Sequence, residues 1–239
     1  MIYTVYKKLG ETPLECLERT RVENNISKDI SMTFAGRLDP AAEGEIIIIT
    51  DNDIKNKEDY LKKDKVYIVE FVLSISTDSG DLLGLITNNI DPNKIIFDKN
   101  DLQNTLNQLT GTRNQEFHAF SSKVVDGKPM WQHAKEGNSV SASHEITINS
   151  IKILSQSELS GANILKRVQH VISLVTGDFR QNEVLESFKV INLDDVYTIL
   201  KLEIHASSGT YMRVLGEELG KLLKIPICAY SIVRTSVVL

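Results

Sequence analysis

Lys65-Val66-Tyr67-Ile68-Val69-Glu70-Phe71-Val72-Leu73-Ser74-Ile75-Ser76 is the stretch whose reading decides the fold class. Tyr67, Val69, Phe71, Leu73 and Ile75 fall on one side of an extended chain, and Ile68, Glu70, Val72, Ser74 and Ser76 on the other. That period of two predicts a strand with one face against a core. The segment from Val196 to Ala206 repeats the pattern, with Leu200, Leu202, Ile204 and Ala206 alternating with Lys201, Glu203 and His205. Further strands are expected over 2–6, 46–49, 145–154 and 225–239. A helix is expected from Thr12 to about Asn24, with Thr12 as N-cap, Pro13 at the first helical position, and Leu14, Leu17 and Val22 on its apolar face. Others are expected over 57–63 on the surface, over 98–109 with Leu102, Leu106 and Leu109 at helical spacing and Gly111 closing it, and over 164–190 in two pieces broken near Gly177. A last helix follows Ser208-Gly209-Thr210, carrying Met212, Leu215, Leu219 and Leu222 and an i,i+4 pair of Glu217 with Lys221. Because strands arrive in runs, the fold class is α+β, with a mixed, largely antiparallel central sheet flanked by helices.

Composition excludes several classes. The chain has 239 residues and a formal charge of -5, which argues against indiscriminate nucleic-acid binding but leaves room for a local basic cleft. Cys16 and Cys228 are far apart, with no spacing of a disulfide framework or zinc site, so a reducing compartment is expected. No apolar run is long enough for a membrane-spanning helix, and residues 1–10 lack the apolar core of a secretion signal, so a cytoplasmic protein is expected. The five histidines show no paired ligand spacing, Asp78-Ser79-Gly80-Asp81 lacks the further ligands of a calcium loop, and no phosphate-binding glycine motif is present. Neither a metal nor a cofactor is expected.

A second stretch carries the chemistry. Phe34-Ala35-Gly36-Arg37-Leu38-Asp39-Pro40-Ala41-Ala42-Glu43-Gly44 sets one carboxylate between two glycines, on a turn that enters the apolar run Ile46–Ile49. By itself this is first a structural turn. If Asp39 is catalytic, it needs a positive partner, an aromatic wall and a substrate clamp elsewhere in the chain.

Five blocks in order supply them, and together they resemble the TruB-type pseudouridine synthases, which isomerise uridine in the T-loop of tRNA. Lys7-Lys8-Leu9-Gly10-Glu11-Thr12 is similar to that family's opening segment, and Gly36-Arg37-Leu38-Asp39-Pro40 with Gly44 to its catalytic loop. Lys65-Val66-Tyr67, with Ser76-Thr77-Asp78, Asp81 and Gly84, resembles its Lys-x-Tyr strand and the loop after it. Residues 115–137 resemble its RNA-clasping insertion, and Ser208-Gly209-Thr210-Tyr211-Met212-Arg213 its Gly-Thr-Tyr-x-Arg block.

The resemblance implies a pseudouridine synthase catalytic domain over 1–239 that acts on tRNA, at uridine 55 of the T-arm. Asp39 is then the nucleophile or base, with no metal or cofactor. Arg213 is its partner, through a bidentate guanidinium that fixes the rotamer. Tyr67 stacks on the flipped base and is available to accept a proton late in the reaction. Tyr211 and Ile232 shape the base pocket. The family has a His where this chain has Phe34, which can wedge or stack in place of the extruded base but cannot hydrogen-bond. Lys7, Arg37, Lys123, Lys128 and Trp131 are the expected RNA contacts. Cations interleaved with aromatics across 113–137 suit loop RNA. The family's Pro pair there is replaced by Phe117-His118 and its Tyr by Phe120. The chain ends where many members continue into a small C-terminal RNA-binding domain, and residues 155–192 form an extra helical stretch. A monomer with no protein partner is expected. The alternative is an RNA-binding or RNA-folding protein without catalysis, against which the Asp39, Tyr67 and Arg213 set argues.

Overall fold

The alternation in Lys65–Leu73 becomes the middle of the molecule. The computed structural model describes residues 1–95, 98–138 and 140–238, so Leu239, at the end of the last expected strand, lies outside the described residues. The strands are β1 (Ile2–Lys7), β2 (Met32–Ala35), β3 (Ala42–Thr50), β4 (Lys65–Leu73), β5 (Ile75–Thr77), β6 (Ile86–Asn89), β7 (Gly111–Glu116), β8 (Val124–Val125), β9 (Lys128–Pro129), β10 (Ser143–Ser160), β11 (Val196–Ala206) and β12 (Ile227–Val237). The helices are α1 (Pro13–Glu23), α2 (Lys57–Leu61), α3 (Lys99–Leu109), α4 (Met130–Lys135), α5 (Gly161–Leu174), α6 (Gln181–Ser187) and α7 (Met212–Leu223).

The main sheet runs β1-β3-β12-β4-β11-β10-β7, with β2 also paired to β3. β12 runs parallel to β3, and the other pairs in this sheet are antiparallel. The mixed, largely antiparallel α+β expectation therefore holds. Tyr67, Val69, Phe71 and Leu73 share one core with Leu200, Leu202 and Ile204, covered by Leu102, Leu106 and Leu109 of α3 and Met212, Leu215 and Leu219 of α7. Each such fully buried side chain stabilises by about 1.5–3 kcal/mol. The opposite side, with Val72, Tyr197 and Ile199, is covered by Ile164, Val168, Val171 and Ile172 of α5 and Val184 of α6. Residues 155–192 are thus the end of β10 followed by two helices that cover the sheet.

Several expectations are corrected. Strand β4 ends at Leu73, because Ser74 adopts a left-handed φ of 81° before β5 begins. On α1 the buried residues are Cys16, Leu17 and Thr20, while Leu14 and Val22 are exposed, since the helix rests a narrow face on β3. Its start is as read, with Thr12 and Glu15 forming a reciprocal capping box worth about 1 kcal/mol. Leu222 is exposed near the end of α7. Glu217 is drawn to His118 at 3.0 Å, away from Lys221. Gly111 opens β7 with a φ of 104°, and α3 is instead capped at Thr110. The excursion from the core begins only after Glu116. Arg113 lies on the edge strand and makes a fork–fork pair with Glu218, both bonds 2.7 Å.

Candidate active site

The Asp39 turn is built by its neighbours. Leu38 is buried in the sheet core and anchors the loop. The Asp39 carbonyl accepts from the Ala42 N–H at 2.9 Å, closing a tight turn, and the Pro40 carbonyl accepts from the Gly10 N–H at 2.9 Å. Gly44 has a φ of 120°, and a Cβ there would lie 2.1 Å from the Arg234 carbonyl, so only glycine lets β3 approach β12 this closely. The Asp39 side chain is 42% exposed, so it stands at a lip rather than in the interior.

Arg213 reaches that lip from the first turn of α7. Its side chain is 5% exposed, and Nη2 lies 2.7 Å from Asp39 Oδ2. The bidentate geometry expected from the sequence is not present. Nη1 instead donates to the Ser79 carbonyl at 2.7 Å and lies 3.3 Å from His118 Nδ1, while Nε is 3.6 Å from Asp81 Oδ2. The guanidinium is divided because the loop after β5 crosses its inner side. Burial works against the Arg213 charge, but the Asp39 and Asp81 carboxylates outweigh it and hold its pKa above the usual value. Asp81 is pushed up by burial, against the pull of Arg213, the Ser79 hydroxyl at 2.7 Å and the Leu83 N–H at 2.9 Å.

The segment after β7 is latched to this machinery. His118 Nδ1 accepts from the Phe120 N–H at 3.0 Å, which leaves Nε2 to donate to Glu217 at 3.0 Å. Phe117 stacks on His144 with centroids 4.1 Å apart and meets the Tyr211 ring edge-on at 5.8 Å. Gln115, fully buried, accepts from the Tyr211 N–H at 2.8 Å and donates to its carbonyl at 3.3 Å. Burial, then the Asp39 carboxylate, raises the Tyr211 phenol above its ordinary pKa.

A cavity of about 470 Å³ opens over the lip and is lined by Asp39, Tyr67, Tyr211, Arg213, Ile232 and Phe34, so the sequence-derived substrate set converges on one space. Tyr67 and Ile232 are buried at 8% and 6% exposure, as walls rather than surface groups. Arg37 and Lys123 also line the cavity, and both are exposed. The Arg37 guanidinium lies 5.8 Å from the Phe34 centroid and the Lys123 ammonium 5.1 Å from that of Phe117. A second, more apolar cavity of about 600 Å³ also reaches Asp39, and Phe120, Trp131, Phe179 and Leu14 line it. Trp131 is 42% exposed there, with Lys135 5.9 Å from its ring centroid. Lys128 is at the surface but paired with Glu136 at 3.0 Å.

Lys7 does not lie where an RNA contact requires. It is fully buried, and its ammonium donates to the carbonyls of Lys8 at 3.1 Å and Glu11 at 2.6 Å. Burial pulls its pKa down to about 8. It knots the loop whose Gly10 holds Pro40, and so serves the Asp39 turn from behind. Sequence reasoning missed His118, Glu217 and Arg180. Arg180 pairs with Asp78 at 2.7 Å and lies 4.9 Å from the Phe120 centroid, while Asp178 binds Lys135 at 3.0 Å. The loop between α5 and α6 therefore braces the insertion. The departure from a Pro pair at Phe117-His118 was the visible signal for His118. For Arg180 the sequence held none.

The chain is similar to known proteins along most of its length. The profile described as TruB family pseudouridylate synthase (N terminal domain) matches residues 25–171. The chain is 26% identical over 219 residues to "tRNA pseudouridine synthase B" of Endomicrobium trichonymphae, covering 91% of this chain and 76% of the relative. It is 33% identical over 157 residues to the protein of that name in Clostridioides difficile (strain 630), covering 64% of this chain and 50% of the relative. Against that of Mesomycoplasma hyopneumoniae (strain 232) it is 27% identical over 237 residues, covering 99% of this chain and 60% of the relative. The chain thus spans between half and three-quarters of the length of these relatives. Among solved structures, one described as "Crystal Structure of a Cbf5-Nop10-Gar1 Complex" shares the fold, with a TM-score of 0.56 and 13% identity over 99% of this chain and 48% of that one.

Proposed function

We propose that this chain, which belongs to the TruB family of pseudouridylate synthases, isomerises uridine to pseudouridine in tRNA, at uridine 55 of the T-arm, with Asp39 as the covalent nucleophile or base. The observation that carries this reading is the Asp39–Arg213 pair, at 2.7 Å, on the wall of a cavity lined also by Tyr67, Tyr211 and Ile232. The reaction breaks a glycosidic bond, turns the base over and forms a carbon–carbon bond. One carboxylate suffices as nucleophile or base if its orientation is fixed and the detached base is retained. Arg213 fixes the orientation. Tyr67 and Ile232 retain the base, and Tyr67 accepts the C5 proton. Phe34, at the rim of both cavities, fills the stack from which the base is extruded. The exposed Arg37, Lys123 and Trp131 meet the RNA, with Lys128 at the margin. The whole chain acts as one catalytic unit, a monomer, in which the segment following β7 clasps the RNA.

Tritium release from tRNA transcripts carrying 5-tritiated uridine tests this reading. Wild type is expected to release tritium and Asp39→Asn to release none above background. Equal release by the two sinks the assignment. Tight tRNA binding without release by wild type leaves an RNA-binding protein in place of an enzyme.

A further inference from the structure

Arg37, Lys57, Lys65 and Arg234 line the Asp39 cavity together with Gly36. Two of them are buried, Arg234 at 1% exposure and Lys65 at 3%. Among the described residues, their polar contacts are to main-chain carbonyls. Arg234 donates to Glu45 at 2.6 Å and Arg37 at 3.2 Å, and Lys65 donates to Leu61 at 2.7 Å and to Lys63. Among the described residues Arg234 Nη2 is buried without a hydrogen-bond partner. The nearby Glu45 carboxylate is used by the Val237 N–H at 2.8 Å. Burial, and after it Arg234, pulls the Lys65 ammonium down to about 8, with Asp64 offsetting part of this.

Two neighbouring buried cations are costly unless an opposite charge arrives, because carbonyl dipoles do not replace a counterion. The chain leaves a way in. Gly36 has a φ of 83°, and a Cβ on it would stand 3.5 Å from Arg234 Nη1 and 3.9 Å from Lys65 Cε. At Gly36 the cavity wall beside the buried pair is therefore bare backbone. Above it, the Arg37 guanidinium and the Lys57 ammonium lie 5.8 and 6.0 Å from the Phe34 centroid. Lys57 is anchored by a hydrogen bond to the Thr33 hydroxyl at 3.1 Å. An aromatic ring with two cations beside it is the pairing that suits a stacked base and its phosphate.

We propose that this basic end of the cavity is a phosphate subsite for one phosphodiester of the RNA strand that carries the target uridine. Arg37 and Lys57 donate to its oxygens, and Lys65 and Arg234 beneath Gly36 supply the buried positive field. This deepens the proposed function and rests on its RNA reading. The subsite explains why these cations cluster in a chain of formal charge -5.

The test uses a T-arm hairpin in which one linkage at a time is replaced by an uncharged methylphosphonate. Affinity is measured for wild type, Arg37→Gln and Lys57→Gln, whose side chains are not part of the buried core. One linkage beside the target uridine is expected to weaken wild-type binding about tenfold and the Lys57→Gln protein less than about twofold. Equal losses at every linkage, or equal losses in wild type and both variants, overturn the subsite. Tritium release from the unmodified hairpin separates the two ideas. Release without such coupling keeps the enzyme and removes the subsite, and coupling without release keeps the subsite and removes the chemistry. A hairpin that does not bind at all removes both.

Discussion

Asp39 is held by a single nitrogen of Arg213, with Nη2 2.7 Å from Oδ2, while Nη1 of the same guanidinium is engaged by the Ser79 carbonyl at 2.7 Å. The arginine therefore ties the Asp39 turn to the loop after β5. Lysine carries its donors on one compact ammonium and lacks the planar span by which separate nitrogens of Arg213 face the Asp39 carboxylate and the Ser79 carbonyl. Arg213→Lys is expected to lower the single-turnover rate by about 100-fold or more, with RNA affinity changed by less than about threefold. Arg213→Met also leaves Asp81 buried without its cation, and denaturant unfolding should record a loss of about 3–5 kcal/mol. A lysine variant of full rate would show that the pair does not orient Asp39.

In the proposed reaction the Tyr67 ring is a wall for the base and its hydroxyl the proton acceptor. Tyr67→Phe keeps the aromatic wall and removes the proton acceptor. The expected result is RNA binding within about twofold of wild type and tritium release reduced by about 10²-fold or more. Tyr67→Leu should in addition lose affinity for RNA. Full release by the phenylalanine variant would leave Tyr67 a packing role only.

His118 joins the insertion to the pocket through Glu217 and the Phe120 N–H, both at 3.0 Å. His118→Leu fills the space but leaves a partly buried N–H and a half-buried carboxylate without their partner, at a cost of about 1 kcal/mol. Because the insertion loses its latch, amide exchange over 119–138 should accelerate while exchange in β4 and β11 stays unchanged. Uniform acceleration across the sheet would point to general destabilisation instead.

The buried Lys65 makes a pH prediction with a definite sign. Its pKa in the folded protein is pulled down to about 8, below the value near 10.5 of the unfolded chain. Between these values the unfolded state binds more protons, so this group's contribution to stability rises with pH. Below pH 8 both states carry the proton and the full penalty of the buried charge is present. Lys65→Met removes that penalty. The stability of the variant minus that of wild type should therefore be largest near pH 7 and shrink by pH 10, as measured by denaturant titration at each pH. A difference that is flat in pH overturns the prediction.

Gly44 allows β3 to meet β12 at the base of the Asp39 turn. Gly44→Ala combines a φ of 120° with a Cβ 2.1 Å from the Arg234 carbonyl. Backbone strain and displacement together should cost at least about 2–4 kcal/mol in urea unfolding. A smaller loss would mean that β12 yields.

The sheet was legible because its strands advertise themselves locally. Leu200, Leu202, Ile204 and Ala206 are all buried, as their alternation required. Helix faces were less legible. Leu14 and Leu222 sit at apolar positions yet are exposed at 61% and 46%, since burial depends on how wide a stripe the neighbouring element covers. Arg113 looked like part of a basic excursion because its segment is polar, but an edge strand needs only backbone pairing, and β7 obtains that from β10.

The likeness of their motifs to the family singled out Asp39, Tyr67 and Arg213, and by itself the sequence determined the α+β class and the order of strands and helices. These follow from interactions between residues close in the chain, where periodicity, caps and turn chemistry act. Only the tertiary structure decided that Arg213 divides its guanidinium among Asp39, Ser79 and Asp81, that Lys7 is a buried knot behind the turn, and that Lys65 and Arg234 lie beneath Gly36. The Arg213 contacts and the Gly36 cluster bring together residues distant in sequence, and Lys7, though bonded to near neighbours, is buried only because the rest of the chain packs over it. The charge surrounding a side chain is set by that packing and has no local signature.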